Sequence, residues 1–120
     1  METTGTYPES IPRGECLRLM ATASVGRIIY TRRALPAVEL VSFALEGGDI
    51  VVQTMRDPVI SAIRDSVVAF EADQVSPHDM NGWTVTVIGR ACEREHVIRI
   101  RPEIVTGRRF AMPAAAQVAA

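Results

Sequence analysis

The chain has 120 residues, 48% of them hydrophobic, enough for one domain to close a core without a metal or a disulfide. A formal net charge of −1 supplies no basic field for a nucleic acid. No apolar stretch approaches the roughly 20 residues of a spanning helix, and METTGTYPES lacks the charged head and apolar middle of a secretory leader. The expectation is a cytoplasmic protein with neither nucleic acid nor membrane as a partner.

Residues 1–10 are polar, with Gly5 and Pro8, and read as a flexible arm. Ile11 to Ala23 reads as a short helix entered at Pro12, with Cys16, Leu17 and Met20 as its core stripe. Val25 to Thr31 (VGRIIYT) is a first strand, and Ala37 to Leu45 (AVELVSFAL), after Pro36, is a second. Gly47 and Gly48, followed by Asp49, signal a hairpin into a third strand, Ile50 to Thr54. Pro58 then opens a short helix in which Val59, Ile60 and Ile63 recur at helical spacing.

Ser66 to Ala72 (SVVAFEA) is a fourth strand, and Asp73 to Asn81 is a turn-rich loop. The fifth strand, Gly82 to Glu93 (GWTVTVIGRACE), carries the clearest pattern. Its β-branched residues fit a pleated strand better than a helix, and alternation sends Val85 and Val87 to one face and Thr84 and Thr86 to the other. Arg94 and Glu95 form a tight turn into His96 to Ile100 (HVIRI). Pro102 interrupts this segment, Glu103 to Phe110 continues as strand or edge, and residues 111–120 form a frayed tail. Six or so hairpin-linked strands with one helix in front and one after the third argue for a mainly β, small antiparallel barrel over residues 11–110.

The chemistry-bearing residues are few. Cys16 and Cys92 lack metal-ligand spacing and read as buried reduced thiols. Asp73, His78 and Asp79 share a loop but not the spacing of a structural metal site. No multi-glycine phosphate loop follows a strand, which removes the usual dinucleotide and P-loop readings. All 13 cationic residues are arginine, a group that grips phosphate or carboxylate with two parallel bonds, but a lysine-free chain equally reflects codon bias and the count alone decides nothing. Trp83, the only tryptophan, is either a stacking face for a flat ligand or a plug for a barrel end.

The order SVGRIIYT, ALPAVELVSF, DIVVQT, VVAFEAD, GWTVTVIGRA and VIRIRPEIVTGRR resembles the pyridoxamine 5'-phosphate oxidase-like family, the FMN-binding split barrels, over Gly14 to Phe110. The resemblance implies a six-stranded antiparallel split barrel that works as a homodimer, with FMN, or a deazaflavin, in a groove between two barrels. By the same resemblance Val41 and Ser42 face the isoalloxazine ring, and Gln53 and Thr54 reach the ring or ribityl chain. The turn from Met55 to Val59, including Arg56, meets the phosphate, and Trp83 closes the groove. Each of these has an ordinary structural reading as well: Thr54 as a strand end, Ser42 as a small barrel residue, Arg56 as a solvated loop residue.

Members of the family carry an arginine just before the position of Thr54 and a lysine in the turn that follows. Here those places read Gln53 and Pro58 or Val59. A hydrogen bond to a charged group contributes about 1.5 to 3 kcal/mol, so losing two weakens phosphate binding by roughly 3 to 6 kcal/mol, or two to four decades. The turn at Arg94 and Glu95 also replaces a longer excursion, thinning a groove wall. Two functions follow. The first is a flavin-binding oxidoreductase with an unknown acceptor, in which the cofactor performs the hydride chemistry and the protein binds and orients it. The second is a non-catalytic split-barrel homodimer that has lost tight flavin binding and serves as a ligand-binding or accessory protein.

Overall fold

The computed structural model describes residues 9–53 and 56–111. The expected arm over residues 1–8, the tail over 112–120, and Thr54 and Met55 lie outside these. The described elements are β1 (Glu9–Ser10), α1 (Arg13–Met20), β2 (Val25–Arg32), β3 (Leu35–Glu46), β4 (Asp49–Val52), α2 (Asp57–Ile63), β5 (Val67–Val75), β6 (Asn81–Arg94), β7 (Val97–Ile100) and β8 (Ile104–Ala111). Among the described residues no helix is long and apolar enough to cross a membrane.

All strand pairings are antiparallel. Following them from β2 through β3, β4, β7, β6 and β5 leads back to β2, so six strands close a barrel. β8 and the two-residue β1 lie outside this ring, on the first half of β6. Inward residues alternate along each strand: Ile28 and Tyr30 on β2, Val68, Phe70 and Ala72 on β5, and Val85, Val87 and Ala91 on β6, with Ile98 and Ile100 on β7, are all buried. Phe43 and Phe70 meet edge to face, their centroids 4.8 Å apart. A Cβ on Gly26 would stand 2.6 Å from the Phe70 ring, so glycine makes room for it.

Three two-residue hairpins organise the ring. Gly47 and Gly48 turn with φ of 59° and 86°, as their sequence signals, while Arg33–Ala34 and Glu95–His96 do so with non-glycine residues at positive φ. The Arg33–Ala34 turn lets β2 and β3 run up to it, which is why the second strand starts at Leu35 instead of Ala37. The last hairpin sits one residue later than expected, because Arg94 still pairs with Val97.

The helices are also shorter or shifted. Pro12 is the N-cap of α1 rather than part of it, and the preceding Ile11 is held by an N–H bond to the Gly107 carbonyl at 3.0 Å. α1 buries Cys16 and Met20 against β8 and β6. α2 starts at Asp57, one residue before Pro58, and buries Val59, Ile60 and Ile63.

One glycine explains how β6 serves two partners. Its first half pairs with β8 as far as Ile88, and from Ala91 onward it pairs with β7. At the changeover the Arg101 N–H reaches the Arg90 carbonyl at 3.4 Å and the Glu103 N–H reaches the Ile88 carbonyl at 2.9 Å. The crossing main chain passes over Gly89, where a side chain has no space.

Candidate functional site

Alternation turns Ser42, Ala44 and Glu46 outward on β3, while Phe43 is buried. Over Leu35–Ser42, β3 pairs with β2 alone among the described strands, and only from Phe43 onward does β4 join it. The opposite edge of that stretch therefore presents main-chain groups without a ladder partner. Immediately beyond it lies an open groove of about 280 Å³ lined by Ser24, Ser42, Ala44, Glu46, Val51 and Gln53, with Phe43 contributing beneath. Ser42, Ala44 and Glu46 line its β3 side, Val51 and Phe43 are its larger apolar residues, and Ser24, Ser42 and Gln53 supply neutral hydrogen-bonding groups. That donor set suits a flat heterocycle with one apolar and one hydrogen-bonding edge.

The structure thus brings Ser42 and Gln53 together in one groove. Val41 adjoins it in sequence, but its side chain turns inward and packs against the core, leaving only its main chain for a ligand. Thr54 lies outside the described residues. Arg56 is exposed, and its guanidinium is already engaged by Glu39, with Nη2 3.1 Å from Oε1. That carboxylate holds the guanidinium pKa above its ordinary value by direct hydrogen bonding. Asp57, in the first turn of α2, adds a negative charge beside it, and Pro58 offers no N–H, so the helix start is not the ready phosphate cradle that opening at Pro58 implies.

Trp83 does not line this groove. Its indole lies on the inward face of β6 with Val85 and Val87, only 6% exposed. It borders a separate furrow of about 300 Å³ between the ends of β5 and β6, with Gln74, Val75, Pro77 and Asn81. Asp79, in the loop before β6, is used locally: its Oδ1 accepts the Asn81 N–H at 3.0 Å, which lowers its pKa.

The cysteines divide. Cys16 is buried, its Sγ donating to the Ile11 carbonyl at 3.3 Å, whereas Cys92 is exposed, contrary to the expectation that both are buried. The same alternation that places Val85 and Val87 inward, counted on through Gly89 and Ala91, puts Cys92 outside. Arg90, Arg99 and Arg101 lie around Cys92 in one furrow. Arg99 projects from β7 opposite Cys92 and is bonded to Glu46 at 2.5 Å, with Asp49 at 3.6 Å.

A second outward surface spans five strands. Val38, Ile29, Ala69, Ile88 and Ile104 are successive cross-strand partners from β3 through β2, β5 and β6 to β8. Val38 is 59% and Ile104 57% exposed, and Leu40, beside Val38 on the same face, is 68% exposed. The adjoining row is polar: Arg27 bonds Glu71 at 3.1 Å and also Asp73, and Thr86 donates to Glu71 at 3.3 Å.

A family model described as pyridoxamine 5'-phosphate oxidase matches residues 12–101, three quarters of the chain. The chain belongs to the pyridoxamine 5'-phosphate oxidase family. Within reach of this family member is an uncharacterized protein of Mycobacterium tuberculosis, 34% identical, with 83% of this chain and 84% of that protein covered. The FAD binding protein from Mycobacterium smegmatis superposes with a TM-score of 0.79 at 28% identity, covering 87% of this chain and 99% of that one. An FAD-binding protein from Mesorhizobium loti gives the same TM-score at 18% identity, over 88% of this chain and 98% of the other, a likeness of fold.

Proposed function

We propose that this family member binds the isoalloxazine ring of a flavin in the groove between β3 and β4 and acts as a homodimeric oxidoreductase on a small acceptor. The observation that carries the reading is the groove itself, where Ser42 and Gln53 meet beside the stretch of β3 that has no second strand partner among the described residues. Within it, Val51 and Phe43 meet the apolar side of the ring. The Ser42 hydroxyl, the Gln53 amide and the main chain at Val41 and Ser42 bond its polar side, and Arg56, released from Glu39, reaches a phosphate. The flavin supplies the hydride chemistry, and the chain binds it, orients it and limits water.

The homodimer is part of the same proposal. An open groove of this size covers little of a tricyclic ring, so a second copy must supply the other wall. The five-strand apolar row from Val38 to Ile104 is the surface that a second copy would cover. Trp83 then closes the groove only if its own end of the barrel abuts the partner's groove. FMN and FAD both carry the required ring, as a deazaflavin does.

The test is a fluorescence titration of FMN, FAD and a deazaflavin into purified protein, with a Ser42→Phe variant to fill the groove. Quenching that saturates in the wild type and is lost in the variant is expected. Three unquenched flavins would remove the reading. A second reading, a non-catalytic split-barrel accessory protein, is favoured by the Arg56–Glu39 pair and by the acid at the start of α2. Turnover of a reduced nicotinamide or reduced deazaflavin donor would eliminate it.

A further inference from the structure

The outward face that forms the flavin groove continues past it. Ala44, Val51, Arg99 and Cys92 are successive cross-strand partners on β3, β4, β7 and β6. A second furrow therefore begins about one strand spacing, roughly 5 Å, beyond Val51. It encloses about 420 Å³ and is lined by Asp49, Arg90, Cys92, Arg99, Arg101 and Glu103. That volume lies within the range of small-molecule sites.

Its charge is not cancelled internally. Arg99 is committed to Glu46 and Asp49 and forms the wall between the two grooves. Arg90 gives one N–H to the Asp65 carbonyl at 2.7 Å and keeps its other donors. Among the described residues, no carboxylate lies within ion-pair distance of Arg90 or Arg101. The two are main-chain neighbours, through the Arg101 N–H and the Arg90 carbonyl, and both side chains are exposed. Glu103 is the remaining acid, placed to accept from hydroxyls.

Two unneutralised guanidiniums, Arg90 on β6 and Arg101 in the link that follows β7, make a fork for tetrahedral oxyanions, since each can bond phosphate oxygens in parallel. We infer that this furrow is a diphosphate subsite in which Arg90 and Arg101 hold the ADP half of a dinucleotide flavin, with Glu103 on the ribose hydroxyls. Assigning the diphosphate to the flavin rests on the ring lying in the neighbouring groove; the anion subsite itself does not. The two cations carried by the family are absent at Gln53 and at Pro58 or Val59, which leaves a monophosphate flavin Arg56 alone for its phosphate, whereas the diphosphate of a dinucleotide flavin turns the other way and meets Arg90 and Arg101 instead.

Cys92 provides the readout, because it is exposed at the furrow while Cys16 is buried. The rate at which iodoacetamide alkylates Cys92 is measured on the full chain alone and with saturating ADP, FAD or FMN. ADP and FAD are expected to slow the reaction about tenfold and FMN to leave it unchanged. An Arg90→Gln/Arg101→Gln double variant loses the protection, with Arg101→Gln alone as the milder form should the double variant lose its native circular dichroism. FAD binds the wild type at least about tenfold more tightly than FMN does, and the Arg101→Gln variant removes that margin.

A labelling rate indifferent to both ADP and FAD overturns the subsite, even if FMN binds and the flavin reading stands. Protection that survives the arginine substitutions overturns the assignment to Arg90 and Arg101. ADP that still protects protein already saturated with FAD overturns the link to the flavin and indicates a separate nucleotide. ADP protection in a protein that binds no flavin supports the subsite and sinks the flavin reading instead.

Discussion

The carbonyl oxygen of Arg101 lies 1.9 Å from where a Cβ on Gly89 would stand. The atom is main chain, held by the bonds that tie Arg101 and Glu103 across β6, so it cannot swing aside. Gly89 is the point at which β6, paired with β5 on its other edge, exchanges β8 for β7. Gly89→Ala is expected to lower stability by about 3 kcal/mol or more, because relief requires moving β7 against β4. Gly48→Ala, with open space around its Cβ and a φ of 86°, should cost only about 1 kcal/mol. Urea denaturation of both variants checks the ranking.

Glu39 and Arg56 are expected to act in opposite directions on flavin phosphate. Glu39→Gln releases the guanidinium and should tighten FMN binding by roughly threefold to tenfold, whereas Arg56→Ala should weaken it by about tenfold. Fluorescence titration at low salt measures both. Equal affinities for the two variants would show that Arg56 never meets the phosphate.

Val38→Lys places a charge on the apolar row that the proposed dimer covers. The variant should fold, since Val38 is exposed in the single chain, yet run as a monomer on a sizing column with light scattering. It should also lose flavin binding if the second copy supplies a groove wall. A Val38→Lys dimer of unchanged size would place the interface elsewhere.

Burial, helped by the neighbouring Glu15, pushes the Cys16 thiol pKa above its ordinary value of 9.0. The folded chain therefore resists losing this proton more than the unfolded chain does. Below pH 9 that difference is fully present as stability, and it is lost as pH rises through the higher folded value. Wild type should weaken on titration above about pH 9, and Cys16→Ala, though less stable at neutral pH, should show a flatter alkaline limb. Thermal melts across the alkaline range give the comparison.

Much of this architecture was legible in the residues. The alternation around Val85 and Val87, the Gly47–Gly48 turn and the helical spacing of Val59, Ile60 and Ile63 each report the environment of one segment, and each appears where expected. The same rule, carried five residues past Val87, locates Cys92 outside. Of the candidate site, Ser42 and Gln53 were named from resemblance and do share a groove, while the Arg33–Ala34 and Glu95–His96 turns carried no glycine signal.

What the chain determined alone was the period and length of its elements, because inward and outward facing along a strand depends on neighbours two residues away. What only the tertiary structure decided was register: the closing of β7 onto β4, the change of partner at Gly89, the capture of Arg56 by Glu39, and the rows from Val38 to Ile104 and from Ala44 to Cys92. Several of those pairings join residues tens of positions apart, as Ile50 and Ile100 do. Which side chains become neighbours across strands depends on hairpin lengths and on the packing of the whole barrel, quantities that no local pattern encodes.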